Sequence, residues 1–168
     1  MHRSPSALPA NCTLSIEPYG GEGPRWVVAR AEAELAERYG ELDASESDLT
    51  ATMFDPPQGA FVVARRGDAA GPPAGGVGVR ALRPGVGQIR RLWVDPAARG
   101  RGIARALMAG VEDAAREVGL TDLRLGTGDR QPEAVALYAS SGWERVFVGQ
   151  DGRPVPDRHI WFVKQLGP

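Results

Sequence analysis

Cysteine is almost absent: Cys12 is the single one in 168 residues. One thiol closes no intramolecular disulfide and is too few ligands for a cysteine-based zinc site, so the expected setting is the reducing cytoplasm. Lysine is as scarce, since Lys164 is the one lysine among 20 basic residues. The two histidines, His2 and His159, have no sequence neighbour that would complete a metal site or a triad, and no metal is expected. Net charge is lacking too: 20 basic side chains stand against 21 acidic ones, a formal charge of -1. A polyanion gripped by bulk charge is therefore not an expected partner, and nucleic acid is set aside. No apolar run approaches the roughly 20 residues that span a bilayer, and the start of the chain has no basic, then apolar, leader pattern. Neither secretion nor a membrane partner is expected.

What is present fits one domain with a substantial core. There is no internal repeat and no linker long enough to divide the chain. Residues 1–12 have no period and are expected to be flexible, leaving 13–168 as the folded unit. Alternation over 13–17 predicts a first strand. Residues 18–24 read as a turn and 26–39 as a helix stopped by Gly40. A weak capping pattern at Ser45 predicts a second, short helix ending before Pro56. Residues 60–64, 76–82 and 88–94 then read as three strands joined by turns, an antiparallel meander. Ile103, Leu107, Val111, Ala114 and Val118 recur every three or four residues, so 101–118 is an amphipathic helix. A strand over 123–127, a helix from Pro132 to about Ser140 and strands over 143–148 and 159–166 complete the reading.

The chemistry concentrates in VDPAARGRGIARAL, residues 94–107, where a strand passes into a helix through a turn holding Gly100 and Gly102. At a helix start the first amides lack intrahelical partners and the dipole adds positive charge, while glycine lets an anion approach the main chain. Arg99 and Arg101 add full charges. The segment lacks the Gly-Lys-Ser/Thr ending of a P-loop and the third glycine of a dinucleotide fingerprint. The meander before it also argues against the parallel βαβ unit that such a fingerprint needs.

Arg99, Gly102 and Ala104 fall on the Arg/Gln-x-x-Gly-x-Gly/Ala pattern, and RQPEAVALYASSGW, residues 130–143, is similar to a later helix of the same family. On these two motifs, in the right order and spacing, the chain resembles the GNAT superfamily of N-acetyltransferases. That resemblance implies an α/β (α+β) fold: one twisted, mixed, mostly antiparallel sheet of six or seven strands flanked by about four helices. It implies acetyl-CoA as co-substrate and a primary amine, on a small molecule or a protein, as acceptor. The strand residues Leu92, Trp93 and Val94 would run along the pantetheine arm. Arg99, Gly100, Arg101, Gly102, Ile103 and Ala104 would hold the pyrophosphate, with Arg105 at its rim. Val94 and Leu125 would wall a gap between two splayed strands, Gln131 would touch the cofactor, and Tyr138 would protonate the departing thiolate. A homodimer through the terminal strands is among the expected assemblies.

Relatives often carry a Glu near the start of the fourth strand, where this chain has Gln88, which accepts no proton at neutral pH. The base is thus left to a water relayed from another acid or to an amine of lowered pKa, and a catalytically silent acyl-CoA-binding module is the alternative reading. Plainer roles compete for several residues. Tyr138 also suits an apolar helix face, and His159 reads as structural. Arg90 and Arg91 are consecutive on a strand and should point to opposite faces, so that one of them at most meets a substrate. Trp26 or Tyr39 could line an acceptor pocket, whose specificity is expected in 26–57 and 150–158.

Overall fold

The computed structural model describes residues 9, 11–40, 50–149 and 151–167. The expectations of a flexible N-terminus over 1–12 and of a helix starting at Ser45 fall largely on residues outside these; of the former, Cys12 already belongs to a strand, and of the latter the end is described. There, Ala51–Phe54 form a short 3-10 turn.

The strands are β1 (Cys12–Ile16), β2 (Gly59–Arg66), β3 (Pro73–Arg83), β4 (Val86–Val94), β5 (Asp122–Gly128), β6 (Glu144–Val146) and β7 (His159–Gln165). They form one sheet in the order β1-β2-β3-β4-β5-β7-β6. Every pairing is antiparallel except β4 with β5. Three helices flank it among the described residues: α1 (Glu22–Tyr39), α2 (Ile103–Glu117) and α3 (Pro132–Ser140).

Period-two alternation in β2 shows how the sheet is covered on both faces. Ala60, Val62 and Ala64 face the core under α2, with Leu107, Met108 and Val111. Phe61 and Val63 face the other way, against Val27 and Ala31 of α1 and against Phe54 and Trp93. A strand buried on both faces reads as a continuous apolar run, which is why 60–64 shows little polar alternation. In α2 the buried positions Ile103, Ala106, Leu107, Val111, Ala114 and Ala115 make one stripe. Burying a leucine such as the fully enclosed Leu107 contributes about 2 kcal/mol.

Beyond shifts of a few residues at strand ends, the structure departs from the sequence reading in three places. Helix α1 starts at Glu22 rather than at residue 26, because Pro24 sits in a first helical turn, where its missing N–H costs nothing. Strand β6 is three residues long, and beyond it Val148 makes only an isolated bridge to Pro154. The third difference concerns topology. Strands β4 and β5 are adjacent and parallel, so β4-α2-β5 is a βαβ unit after all. The meander that precedes it does not prevent this, because α2 carries the chain back across one face before β5 begins. The glycine turn at the head of α2 therefore lies in a parallel crossover set within an otherwise antiparallel sheet.

Candidate active site

Strands β4 and β5 pair over three residues only, Val86, Gly87 and Gln88 with Asp122, Leu123 and Arg124. Beyond that point β5 stays with β7 as far as Gly128, while β4 follows β3. A β-bulge drives the divergence. Between the pairs Gly76↔Trp93 and Gly78↔Arg90, the single residue Val77 of β3 spans two residues of β4, Arg91 and Leu92. Arg91 has φ 65°, left-handed for a residue with a Cβ. Such a bulge bends its strand and leaves the outer edge unpaired.

The fork encloses a cavity of about 510 Å³. Its walls are Gln88 through Trp93 on β4 and Leu125 through Gly128 on β5, and the C-terminal half of α1 closes it with Glu34, Arg38 and Tyr39. Tyr39 is held down at the end of β5. Its hydroxyl accepts a hydrogen bond from the Arg130 amide (3.0 Å), and a Cβ on Gly128 would overlap that hydroxyl. Trp26 does not line the cavity; it packs edge-on against Trp93 at 5.5 Å.

Leu125 forms part of the wall as the resemblance implies, but the Val94 side chain does not. It is buried in the core under α2, and Leu92 and Trp93 border the space instead. Both Arg90 and Arg91 line the cavity, against the alternation expected of consecutive strand residues. The bulge is the reason, since an inserted residue breaks the period of two.

Past β4, Asp95 caps a short 3-10 turn at Pro96–Ala98, its carboxylate accepting from the Ala97 amide (3.3 Å). Gly100 and Gly102 follow with φ 79° and 83°, Gly102 being the N-cap of α2. A Cβ built on either glycine meets nothing within 4 Å, so the turn is open to an approaching group. The first bond back to this turn runs from the Ala106 amide to the Gly102 carbonyl (3.1 Å), and the amides before it have no helical partner. Left-handed glycines, amides without helical partners and the exposed Arg101 fit a diphosphate.

The two neighbouring arginines are anchored elsewhere. Arg99 donates through Nε to the Val94 carbonyl (2.9 Å) and through Nη2 to both oxygens of Glu34 (2.8 and 2.9 Å). Arg105 donates to the Ser140 and Ser141 hydroxyls (2.8 and 3.2 Å), tying α2 to the end of α3. Ile103 is buried in the core and Ala104 half-buried beside it.

At the deep end, Gln88 sits at the vertex of the fork, 8 % exposed, and its Oε1 accepts from Arg80 Nε (2.9 Å). Tyr138 of α3 lines the same cavity while its ring packs against Trp143 and Phe162. Burial pushes its phenol well above the ordinary range, so it stays protonated at neutral pH. Gln131, at the N-cap of α3, also lines the cavity. Among the described residues no three His, Cys, Asp or Glu side chains converge to hold a metal ion, and no helix is long and apolar enough to cross a membrane.

Glu34 is the residue that sequence reasoning missed. It accepts from Arg99 and from the Trp93 indole (3.0 Å), joining α1 to both β4 and the turn. Its place on a helix with Arg30 and Arg38 marks it only as one of a series of solvated charges. Nothing local distinguishes it, because its partners lie 59 and 65 residues away.

Comparison with known proteins agrees with this arrangement. The chain is 37 % identical over 120 residues to the IAA acetyltransferase of Azospirillum brasilense, covering 69 % of this chain and 76 % of that protein. It is 35 % identical over 124 residues to N-acetyltransferase 8 of Rattus norvegicus, a match over 73 % of this chain that spans about half, 54 %, of the rat protein. A GNAT family acetyltransferase from Elizabethkingia anophelis, solved with acetyl-CoA bound, shares the fold with a TM-score of 0.67 at 16 % identity, over 94 % of this chain and 99 % of that one. The sequence pattern of the Acetyltransferase (GNAT) family matches residues 26–143. With the forked sheet and the open glycine turn in place, the chain belongs to the GNAT family of acetyltransferases.

Proposed function

We propose that this chain is an acetyl-CoA-dependent N-acetyltransferase that transfers the acetyl group to a primary amine by direct attack within a ternary complex. The observation that carries the reading is a pair of features joined through Glu34: an open glycine turn at the head of α2, and a cavity at the fork whose wall residue Glu34 holds Arg99 of that turn. The first suits a diphosphate and the second suits the arm and thioester that would follow from it. Amides from Gly100 to Ala104, with the Arg101 guanidinium, would hold the diphosphate, the Arg99 amide being spent on the Pro96 carbonyl (3.4 Å). The unpaired edge of β4, at Leu92, Trp93 and Val94, offers main-chain groups to an extended arm, and Gln131 lies within reach of the same space. When bound, acetyl-CoA supplies an acyl carbon activated as a thioester.

The chain's own groups then have three tasks. An amide on the outer edge of β4 donates a hydrogen bond to the oxygen on which negative charge develops. Tyr138 donates from its phenol to the departing sulfur; its raised pKa keeps the proton in place but also makes it the weaker acid. The amine must reach the site neutral. Gln88 takes no proton, and its oxygen is already bonded to Arg80, so the carboxylate that relatives often place here has no substitute at the vertex. Charge surroundings that lower the amine's own pKa would serve that purpose.

The same Gln88 favours a second reading, in which the chain binds an acyl-CoA without turning it over. Calorimetric titration with CoA, paired with release of free thiol from acetyl-CoA across a panel of amines, decides between them. Binding with turnover is expected. Binding without turnover of any amine would establish the silent module, and no binding would end both readings.

A further inference from the structure

The cavity gathers arginines on its walls. Four arginines line it, Arg38, Arg90, Arg91 and Arg158, against two carboxylates, Glu34 and Asp157. The chain as a whole has a formal charge of -1. One of the two carboxylates is already committed, since Glu34 holds Arg99 and the Trp93 indole. Asp157 stands exposed at the rim. Much of this charge is answered just outside the lining, where Glu133 pairs with Arg38, Glu32 with Arg91 and Asp129 with Arg158, so what a ligand meets depends on how firmly each guanidinium is held.

Among the four, Arg158 alone is exposed, and Arg90, half-buried, has an interaction of its own. Arg38 is spent on Glu133, on the Arg130 carbonyl (3.1 Å) and on Glu34, and Arg91 on Glu32 (3.2 Å) with its side chain 4 % exposed. Arg158 is 57 % exposed, and its ion pair with Asp129 is a long 3.8 Å contact through Nε. Its backbone is left-handed, φ 70°, a conformation disfavoured for any residue with a Cβ. The Asp129 amide fixes it there by donating to the Arg158 carbonyl (3.0 Å). No packing requires arginine at an exposed position of this kind, where glycine or asparagine would be easier. Strain held in place at the mouth of a cavity points to use.

We infer that the acceptor is an amine that also bears a carboxylate, an amino acid or a conjugate of one, and that Arg158 is the residue that recognises that carboxylate. This rests on the acyl-transfer reading above and deepens it. Pairing the acceptor's carboxylate with Arg158 also removes the negative charge that stabilises its own ammonium, and so favours a neutral nucleophile past Gln88. In the transfer one N–C bond forms as the C–S bond breaks, and the proton lost by nitrogen ends on sulfur.

The test uses L-amino acids, their C-terminal amides and the corresponding decarboxylated amines, with thiol release from acetyl-CoA as readout. The amides are the strict control, because their less basic amine is more often neutral and would be favoured if the carboxylate did not matter. Amino acids are expected to exceed their amides by about tenfold or more in kcat/KM, the size of a hydrogen bond to a charged group. Arg158→Asn, which suits a left-handed backbone, should remove that preference mainly through KM while leaving CoA affinity unchanged, and Arg158→Lys should restore part of it. Amides or decarboxylated amines as the better substrates, or a preference unmoved in Arg158→Asn, would overturn the inference. So would a loss of CoA affinity in that variant, since Arg158 would then serve the cofactor. If CoA binds by calorimetry but none of these amines is acetylated, the acceptor class is wrong while the cofactor site stands. If CoA does not bind, the parent reading has failed first.

Discussion

The Arg99 guanidinium lies 2.8 and 2.9 Å from the two carboxylate oxygens of Glu34, so the first residue of the glycine turn is bolted to α1. The same carboxylate accepts the Trp93 indole N–H at 3.0 Å, and Trp93 is only 7 % exposed. Glu34 therefore sets the spacing between α1, which closes the cavity, and the turn that is proposed to hold the diphosphate. Glu34→Ala would leave a buried indole donor and a half-exposed guanidinium without their acceptor. A loss of about 2 kcal/mol is expected in urea unfolding, most of it from the indole. Arg99→Ala should cost less, about 1 kcal/mol, because that side chain is 39 % exposed. The double variant should cost less than the sum of the two, by about 0.5 kcal/mol or more. Strictly additive losses would show that the bond contributes nothing.

The turn itself separates strain from recognition. Gly102 has φ 83° and open space where a Cβ would stand, so a side chain there meets a backbone penalty and no clash. Gly102→Ala is expected to lose about 1 kcal/mol of stability and to keep its fold. Gly102→Asp tolerates the backbone at least as well, yet it places a carboxylate where a diphosphate would lie. CoA affinity measured by calorimetry should fall at least about tenfold in the aspartate variant beyond any loss in the alanine variant. Equal affinities in the two would remove the turn from the cofactor site.

Tyr138 tests the chemistry without the cofactor. Its ring is packed between Trp143 and Phe162, centroids at 6.2 and 5.6 Å, and Phe preserves those contacts. Tyr138→Phe is therefore expected to fold normally and bind CoA as before. Its kcat should drop by about 10²-fold, the usual scale for losing a positioned proton donor. In the wild type, burial holds the phenol above its ordinary value, so no loss of activity from Tyr138 ionisation is expected up to pH 9. A variant with full kcat would return Tyr138 to the core as an ordinary aromatic.

Much of this was legible in the residues. The strand-turn-helix passage at Gly100 and Gly102 follows from local chemistry alone, and so do the stripe of α2 and the stop at Gly40. The meander was legible for the same reason, since its turns carry their own signals at Asp68–Gly75 and Pro84–Gly85. What escaped the reading is what depends on distance. The parallel pairing of β4 with β5 has no local mark, because a crossover helix looks the same whichever way the next strand runs. The bulge at Arg91 was hidden as well. Arginine at φ 65° carries no turn signature, and the bulge exists because β4 must satisfy β3 on one side and leave β5 on the other. From that one irregularity come two departures from expectation, Arg90 and Arg91 lining one cavity and Val94 facing the core.

Away from the site, the edge of the sheet should respond to acid. Glu17, just past β1, receives Arg65 Nε at 2.8 Å and Nη2 at 2.7 Å and the Ser15 hydroxyl at 2.7 Å. The Arg65 guanidinium holds the Glu17 carboxyl below its usual range, and partial burial opposes that only in part. A carboxyl depressed in the folded state contributes stability above its unfolded pKa, near 4.3, and that contribution is lost as pH falls through the lower folded value. The side chains are 15 % and 18 % exposed, so the bond is well shielded from solvent and salt. Glu17→Gln should thus unfold at lower urea than wild type at pH 7, by about 1–2 kcal/mol, since it leaves a half-buried guanidinium with a weaker acceptor. Below pH 4 the gap should close, because the wild-type carboxyl is then being protonated as well. A difference that stays constant from pH 7 to pH 3 would mean that the glutamate acts through its shape rather than its charge, and that β1 is held by its ladder to β2 and by the packing of Leu14 under α2.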